Sequence, residues 1–290
     1  MADQVRIIAL GDMPYGAPSE VYPPYRALIA KINQEKPDLV IHVGDTKTGS
    51  SPCTDQLLLE QLAFLNDFTA PTIYTPGDNE WTDCHRDKAG RYDPYERLAF
   101  IRQHYFSEPD LSFGVPTPIA FQADYPENSR IKLPGVMVIA AHVTGSKNGK
   151  GQEASRKSDG FKQRTKGVIA WIEHGFARAS SGDAVIVALH ADMFTTKNFN
   201  SWKRSWRKKS AFKKVGSALA KAAATHNGPV LLIFGDTHEY RVFAPMPDKV
   251  PNWTAMEVYG GRSMHAVEVV IDPKASVPFV FDTVANPALP

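Results

Sequence analysis

Apolar positions along the chain fall into short compact runs separated by longer stretches of helical period. Val5–Leu10, Asp38–Val43 and Pro71–Thr75 have the length and β-branched content of buried strands. Between them, Pro24–Gln34 carries Leu28, Ile29 and Ile32 at helical spacing, and Gln56–Phe68 carries Leu58, Leu62 and Leu65 on one face. Tyr95–Phe106 predicts a third helix. Such alternation of strand and helix is the pattern of a parallel sheet with right-handed crossovers.

The texture then changes. Leu111–Gly135 is rich in Pro, Phe and Gly, and Val136–His142 predicts a strand. Thr144–Thr165 is polar and rich in Gly, Lys and Ser, which predicts a long exposed loop. Lys166–Ala179 follows as a helix with Ile169, Ile172 and Phe176 inward. Ala184–His190 and Val230–Phe234 are further strands, separated by an aromatic loop and a basic helix ending near His226. After Tyr240 come four short alternating runs, Arg241–Ala244, Ala255–Tyr259, His265–Ile271 and Pro278–Asp282, which read as antiparallel sheet. No linker-like composition interrupts the chain, so residues 1–290 are expected to form a single domain.

Composition narrows the class. Of 290 residues, 43% are hydrophobic and 22% charged, enough for a real core and too apolar for disorder. A formal net charge of +2 excludes the strong basic excess of a dedicated nucleic-acid binder. No apolar run approaches the roughly 20 residues that span a bilayer. Met1–Gln4 lacks a charged segment leading into a long apolar one, so no signal peptide is expected in the chain as given. That fits a cytosolic protein or a mature secreted form. Residues 203–214 hold seven positive and no negative side chains beside Trp202 and Trp206. They read as a solvated helix face or as a patch steering an anionic substrate.

The dipeptide Gly-Asp occurs five times, and four copies directly follow an apolar strand: Gly11-Asp12, Gly44-Asp45, Gly77-Asp78 and Gly235-Asp236. Gly182-Asp183 precedes a strand and reads as a turn. In a parallel sheet the strand exits lie side by side on the edge where open α/β folds place ligands. Glycine there frees the backbone for a sharp turn, and the aspartates converge. Clustered carboxylates repel one another unless protons or cations compensate. With His190 ending one strand and His238 two residues after Asp236, a pair of divalent metals is the natural compensator.

These residues resemble the five motifs of the calcineurin-like metallophosphoesterases: Gly11-Asp12, Gly44-Asp45, Gly77-Asp78-Asn79-Glu80, His190 and Gly235-Asp236-Thr237-His238, in matching order over nearly the whole chain. The resemblance implies an α/β fold, a four-layer α/β/β/α sandwich with mixed sheets. It also implies a two-metal site that hydrolyses phosphate esters, mono- or diesters, by activating a metal-bound water. Asp12 and His238 would hold the first metal, Asp45 would bridge, and Asp78, His190 and Asp236 would hold the second. The motifs also depart from the family. Pro14 stands where the first motif has a histidine ligand. Asp78 replaces an asparagine ligand, Asn79 the usual acid histidine, and Asp236 a ligand histidine. So anionic a site favours Mn, Fe or Mg over Zn or Ca.

The loss of the histidine at Asn79 leaves the leaving group without its usual proton donor. His85, six residues on, is the candidate replacement, Tyr15 is a candidate for the lost imidazole either as ligand or as donor, and Lys47 is a candidate to hold a phosphate oxygen. The expected substrate is a small phosphorylated molecule. The alternatives are a catalytically impaired scaffold binding a phosphorylated ligand or a protein, and a different hydrolase chemistry on the same metals. Cys53 and Cys84 sit in loops leaving the same sheet edge. A disulfide between them would brace the rim and favour a periplasmic or secreted protein, and two free thiols would fit the cytosol.

Overall fold

The computed structural model describes residues 4–152, 160–194 and 210–289. Among the described residues six strands form one sheet, in the order β13 (Phe279–Val284), β12 (Ala266–Ile271), β1 (Val5–Leu10), β2 (Leu39–His42), β3 (Pro71–Tyr74) and β4 (Phe113–Gly114), and seven form a second, in the order β10 (Arg241–Phe243), β11 (Trp253–Glu257), β9 (Val230–Phe234), β8 (Ala184–Ala188), β7 (Val136–Ala140), β6 (Tyr125–Leu133) and β5 (Ala120–Gln122). In the first, β1 (Val5–Leu10), β2 (Leu39–His42) and β3 (Pro71–Tyr74) are parallel. In the second, β7 (Val136–Ala140), β8 (Ala184–Ala188) and β9 (Val230–Phe234) are parallel. These central strands are buried almost throughout, which is why they read as unbroken apolar runs.

Two apolar faces meet between the sheets. Ile7, Ala9, Ile41 and Val43 pack with Val138, Ala140, Ile186, Ile233, Val267 and Val269. Each sheet covers its other face with helices. Ile8, Leu10 and Val40 pack on Tyr25, Leu28 and Ile32 of α1 (Pro18–Glu35). Tyr74 joins Leu58 and Leu65 of α2 (Asp55–Asn66) with Leu98 and Ile101 of α3 (Pro94–Tyr105). Beyond the second sheet, Ile139, Val187 and Leu232 pack on α5 (Gly160–Arg178) and α6 (Lys213–Thr225). The expected four-layer α/β/β/α sandwich is the architecture found.

Three local expectations differ. The first helix starts at Pro18, not Pro24, and runs through Pro23 and Pro24. Pro23 is exposed and Pro24 half-exposed, so the lost hydrogen bonds fall on the solvent side while Tyr25, Leu28 and Ile32 fix the helix from the core. The stretch 144–165 is not one exposed loop. Thr144, Gly145 and Asn148 are buried in a single turn, α4 (Gly145–Asn148), and α5 begins at Gly160. The carboxyl-terminal strands are not all antiparallel. β11 (Trp253–Glu257) runs parallel to β9 and extends the second sheet. By contrast β12 (Ala266–Ile271) pairs antiparallel with β1 and with β13 (Phe279–Val284), extending the first. Most of the basic segment 203–214, with Trp202 and Trp206, lies outside the described residues.

Candidate metal centre

The strand exits of both sheets open onto one edge. Asp12 follows β1, Asp45 follows β2 and Asp78 follows β3, while His190 follows β8 and Asp236 follows β9. Hydrogen bonds tie this edge together: within the first sheet Asp12 N–H donates to the Gly44 carbonyl (2.9 Å), and between the sheets Asp236 N–H donates to the Asp12 carboxylate (3.2 Å to each oxygen).

Of the four strand-exit glycines Gly44 is left-handed, with φ of 93°, while Gly11, Gly77 and Gly235 serve close approach. Asp12, Asp45 and Asp236 are themselves left-handed, with φ of 54°, 54° and 86°, a region that aspartate tolerates better than most residues. A side chain at Gly77 would start 2.0 Å from Asp45 Oδ1, and one at Gly235 would start 2.2 Å from Asp12 Oδ2.

His190 is the hub. Its Nδ1 lies 3.0 Å from the Val43 carbonyl, which leaves Nε2 facing acids: 2.9 Å from Asp78 Oδ1, 3.5 Å from Asp45 Oδ1 and 3.9 Å from Asp236 Oδ1. Asp12, Asp45 and His190 offer ligand atoms within 4.8 Å of one another, and so do Asp78, His190 and Asp236. His238 is half-buried, its Nε2 3.5 Å from Asp12 Oδ1. The six residues expected as metal ligands therefore stand together.

Their electrostatics is that of a cluster short of positive charge. Burial and the neighbouring Asp236 carboxylate push Asp12 up to about 8, against the pull of His190. Burial, with Asp78, Glu80 and Asp12 nearby, pushes Asp45 far above the carboxylate range. Burial and Asp78 push Asp236 up to about 6. Burial also opposes the charge on Asp78, but the hydrogen bond and charge of His190 prevail and hold it low. Burial alone would depress His190, yet Asp45, Asp78 and Asp12 hold it well above its ordinary value. Without a cation the carboxylates share one imidazolium. With one they would ionise, and His190, its tautomer set by Val43, would present Nε2 as a ligand. The donor set fits hard divalent ions.

The other four expected site residues divide. Asn79 and Tyr15 hold Asp45: Asn79 Nδ2 donates to Asp45 Oδ2 (2.6 Å), Tyr15 Oη (2.9 Å) and the Lys47 carbonyl (3.0 Å), and Tyr15 O–H donates to Asp45 Oδ2 (2.8 Å). The Tyr15 ring meets the His238 ring edge-on at 5.1 Å. Lys47 is buried, and its Nζ donates to the carbonyls of Thr48 (3.2 Å) and Ser51 (3.0 Å). His85 is exposed, with Nδ1 2.7 Å from the Thr82 carbonyl, and is not among the residues that touch the cluster. Cys53 and Cys84 form a disulfide, both sulfurs 3.6 Å from the Asn79 carbonyl.

Sequence reasoning missed what props the last motif and the rim. Arg241 Nε pairs with Glu257 Oε2 (2.7 Å), and the same guanidinium pairs with Asp192. Asp192 N–H donates to Asp236 Oδ2 (3.1 Å), and Glu257 accepts from Thr237 N–H (2.9 Å). Ser146 O–H donates to Asp83 Oδ1 (2.7 Å), and α4 presses on the cluster, since a side chain at Gly145 would start 2.6 Å from Asp236 Oδ1 and 2.7 Å from Asp78 Oδ1. Asp192, two residues after His190, carried the one usable sequence signal.

A family model described as calcineurin-like phosphoesterase matches residues 5–240. A dimetal phosphatase from Danio rerio is similar in structure, with a TM-score of 0.58, 10% identity, and coverage of 97% of this chain and 99% of that one. A purple acid phosphatase from yellow lupin seeds superposes with a TM-score of 0.58 at 12% identity over 98% of this chain, which spans 54% of that enzyme. The GAP50 anchor of the inner membrane complex of Plasmodium gives 0.50 at 10% identity, covering 98% of this chain and 89% of that one. No curated protein matches in sequence.

Proposed function

The chain belongs to the calcineurin-like phosphoesterase family, and from that premise we propose that it is an active hydrolase of small phosphate mono- or diesters that holds two divalent metals. The observation that carries this reading is the convergence of Asp45, Asp78 and Asp236 oxygens on His190 Nε2, at 3.5, 2.9 and 3.9 Å. Asp12 and His238 would hold one ion, Asp78, His190 and Asp236 the other, with Asp45 between. Mn, Fe and Mg suit these oxygen-rich ligands.

Bound there, divalent ions supply Lewis-acid polarisation of the phosphoryl group and a nucleophilic water of lowered pKa. The chain's own residues orient and move protons. Asn79 amide and Tyr15 hydroxyl fix Asp45 from one side. Tyr15 is held protonated, because burial and the nearby Asp45 and Asp12 carboxylates push it well above its ordinary value. Its hydroxyl stands 2.8 Å from Asp45 Oδ2 while His85 lies off the cluster, so by position Tyr15 is the donor we assign to the leaving oxygen. Lys47 anchors the 47–51 loop through its two carbonyl contacts.

Asn79 also favours a second reading, a catalytically impaired member that binds a phosphorylated ligand, since an amide cannot give up a proton. Aryl phosphate and aryl diester assays with added Mn, beside metal analysis, separate the two. Bound metal without turnover supports the scaffold, and the absence of both defeats each reading. The buried disulfide supports an oxidising compartment, periplasmic or extracellular.

A further inference from the structure

Asp236 carries two carboxylate oxygens on a side chain that can turn. Which of them faces an ion depends on what holds the other. Asp236 Oδ2 accepts from Asp192 N–H (3.1 Å), and Oδ1 lies 3.9 Å from His190 Nε2. The backbone here is also special. Asp236 and His238 are both left-handed, with φ of 86° and 65°. Such a stretch persists where its surroundings over-determine it.

Those surroundings form a closed ring. Asp192 is buried, and its Oδ1 accepts from Phe194 N–H (2.6 Å) while Oδ2 meets the Arg241 guanidinium. Arg241 Nε lies 2.7 Å from Glu257 Oε2. Glu257 Oε1 in turn accepts from Thr237 N–H (2.9 Å) and from the Thr237 hydroxyl. Thr237 is the residue after Asp236, so the ring ends where it began. Two strands set its geometry, because Arg241 on β10 stands opposite Glu257 on β11 in their antiparallel register. The Phe234 and Phe243 rings flank the guanidinium carbon at 5.7 and 5.5 Å. Both acids are fully buried and the arginine side chain is 17% exposed, so salt screens these pairs little.

We propose that Arg241 is a positioning residue of the metal centre: by clamping Asp192 to Glu257 it locks the loop after β8 against the loop after β9 and turns Asp236 Oδ1 towards the ion. The clamp needs a planar fork that reaches two carboxylates at once, which the point charge of a lysine does not provide. This role rests on the two-metal reading of the site.

Charge alone predicts the opposite outcome. Arg241 is a cation close to the proposed ions, and its removal lowers the repulsion they feel. Without it Mn should then bind as tightly or more tightly. Positioning predicts weaker binding, so the sign of the change decides. Mn binding to the full chain, stripped beforehand with chelator, is followed by calorimetry at a temperature where every variant is folded. Two ions are expected in the parent. Arg241→Gln should weaken one of them about tenfold or more and leave the other near its parent affinity. Arg241→Lys keeps the charge and should still weaken the same ion. Asp236→Ala should weaken that ion too, and adding Arg241→Gln to it should cost little more, since both changes act through one carboxylate. Mn affinity unchanged or tighter in both Arg241 variants overturns the clamp and leaves the metal reading standing. So does an equal loss at both ions, which would mark general loosening. A parent that binds no Mn overturns the metal reading, and the role of Arg241 with it.

Discussion

Glu127 and Asp12 are both fully buried carboxylates, and their surroundings pull them in opposite directions. Glu127 on β6 (Tyr125–Leu133) faces Arg102 and His142, whose hydrogen bonds and charge overcome burial and hold it down to about 2. Asp12 shares one imidazole with three other aspartates and is pushed up to about 8. The first set closes its own charge balance, so its role is cohesion. The second is left open, and an open balance in a buried place is the physical mark of a binding site.

The largest test of that contrast removes one carboxylate from the open set. Asp45→Asn keeps a residue that tolerates the left-handed backbone, so it probes charge rather than shape. We expect turnover of an aryl phosphate with Mn to fall about a thousandfold or more, the scale of several kcal/mol of lost charge stabilisation. Undiminished turnover would sink the mechanism. Removing the carboxylate from the closed set should instead be read in stability. Glu127→Ala strands Arg102 and His142 and is expected to cost about 3–5 kcal/mol by chemical denaturation. Reducing the Cys53–Cys84 bond, which spans 31 residues, should cost about 3 kcal/mol by the same measurement.

Acidity distinguishes the two sets by sign. In the closed set, Glu127 falls from 4.5 to about 2 on folding, and burial lowers His142 from 6.5 to about 4. The unfolded chain binds more protons there, so this contribution is complete above about pH 7 and fades on acidification towards pH 2. In metal-free protein the open set behaves oppositely. Asp12 and Asp236 keep protons that the unfolded chain has released, and stability should decline as pH rises from about 4 to 8. Thermal midpoints with chelator and with Mn check this: Mn should cancel the alkaline decline and leave the acidic one. The smallest effect expected is a gain. Asn79→His, restoring a donor, should raise turnover of esters with poor leaving groups about tenfold relative to good ones. An unchanged ratio would mean that Tyr15 already suffices.

The acidic edge was legible in the sequence because its residues sit at strand exits, where Gly-Asp interrupts apolar runs. The layers were legible for the same reason: β1, β2 and β3 are too apolar to face water on either side. Other features had no local signature. The parallel pairing of β11 with β9 depends on which sheet the chain rejoins, a decision of the whole fold. The burial of Thr144–Asn148 was hidden because small polar residues look alike whether solvated or packed against metal ligands. Arg164 fell within the stretch expected as an exposed loop, and only its neighbours Trp81 and Tyr95 make it unusual. The role of glycine was legible in part: Gly44 is left-handed as the turn reading expects, whereas beside Gly11 and Gly235 it is the aspartate that carries the left-handed turn.

The acidic edge draws on both halves of the sandwich, with Asp12, Asp45 and Asp78 from one sheet and His190 and Asp236 from the other. A cation seated among them acts as a rivet through two plates that otherwise meet by greasy contact and a few hydrogen bonds along this edge. Any sliding of one plate over the other would be felt first as loosened grip on the ion. Amide exchange in the seam between Ile41 and Ile186 should therefore slow when the rivet is in place, far from any atom that the ion could touch.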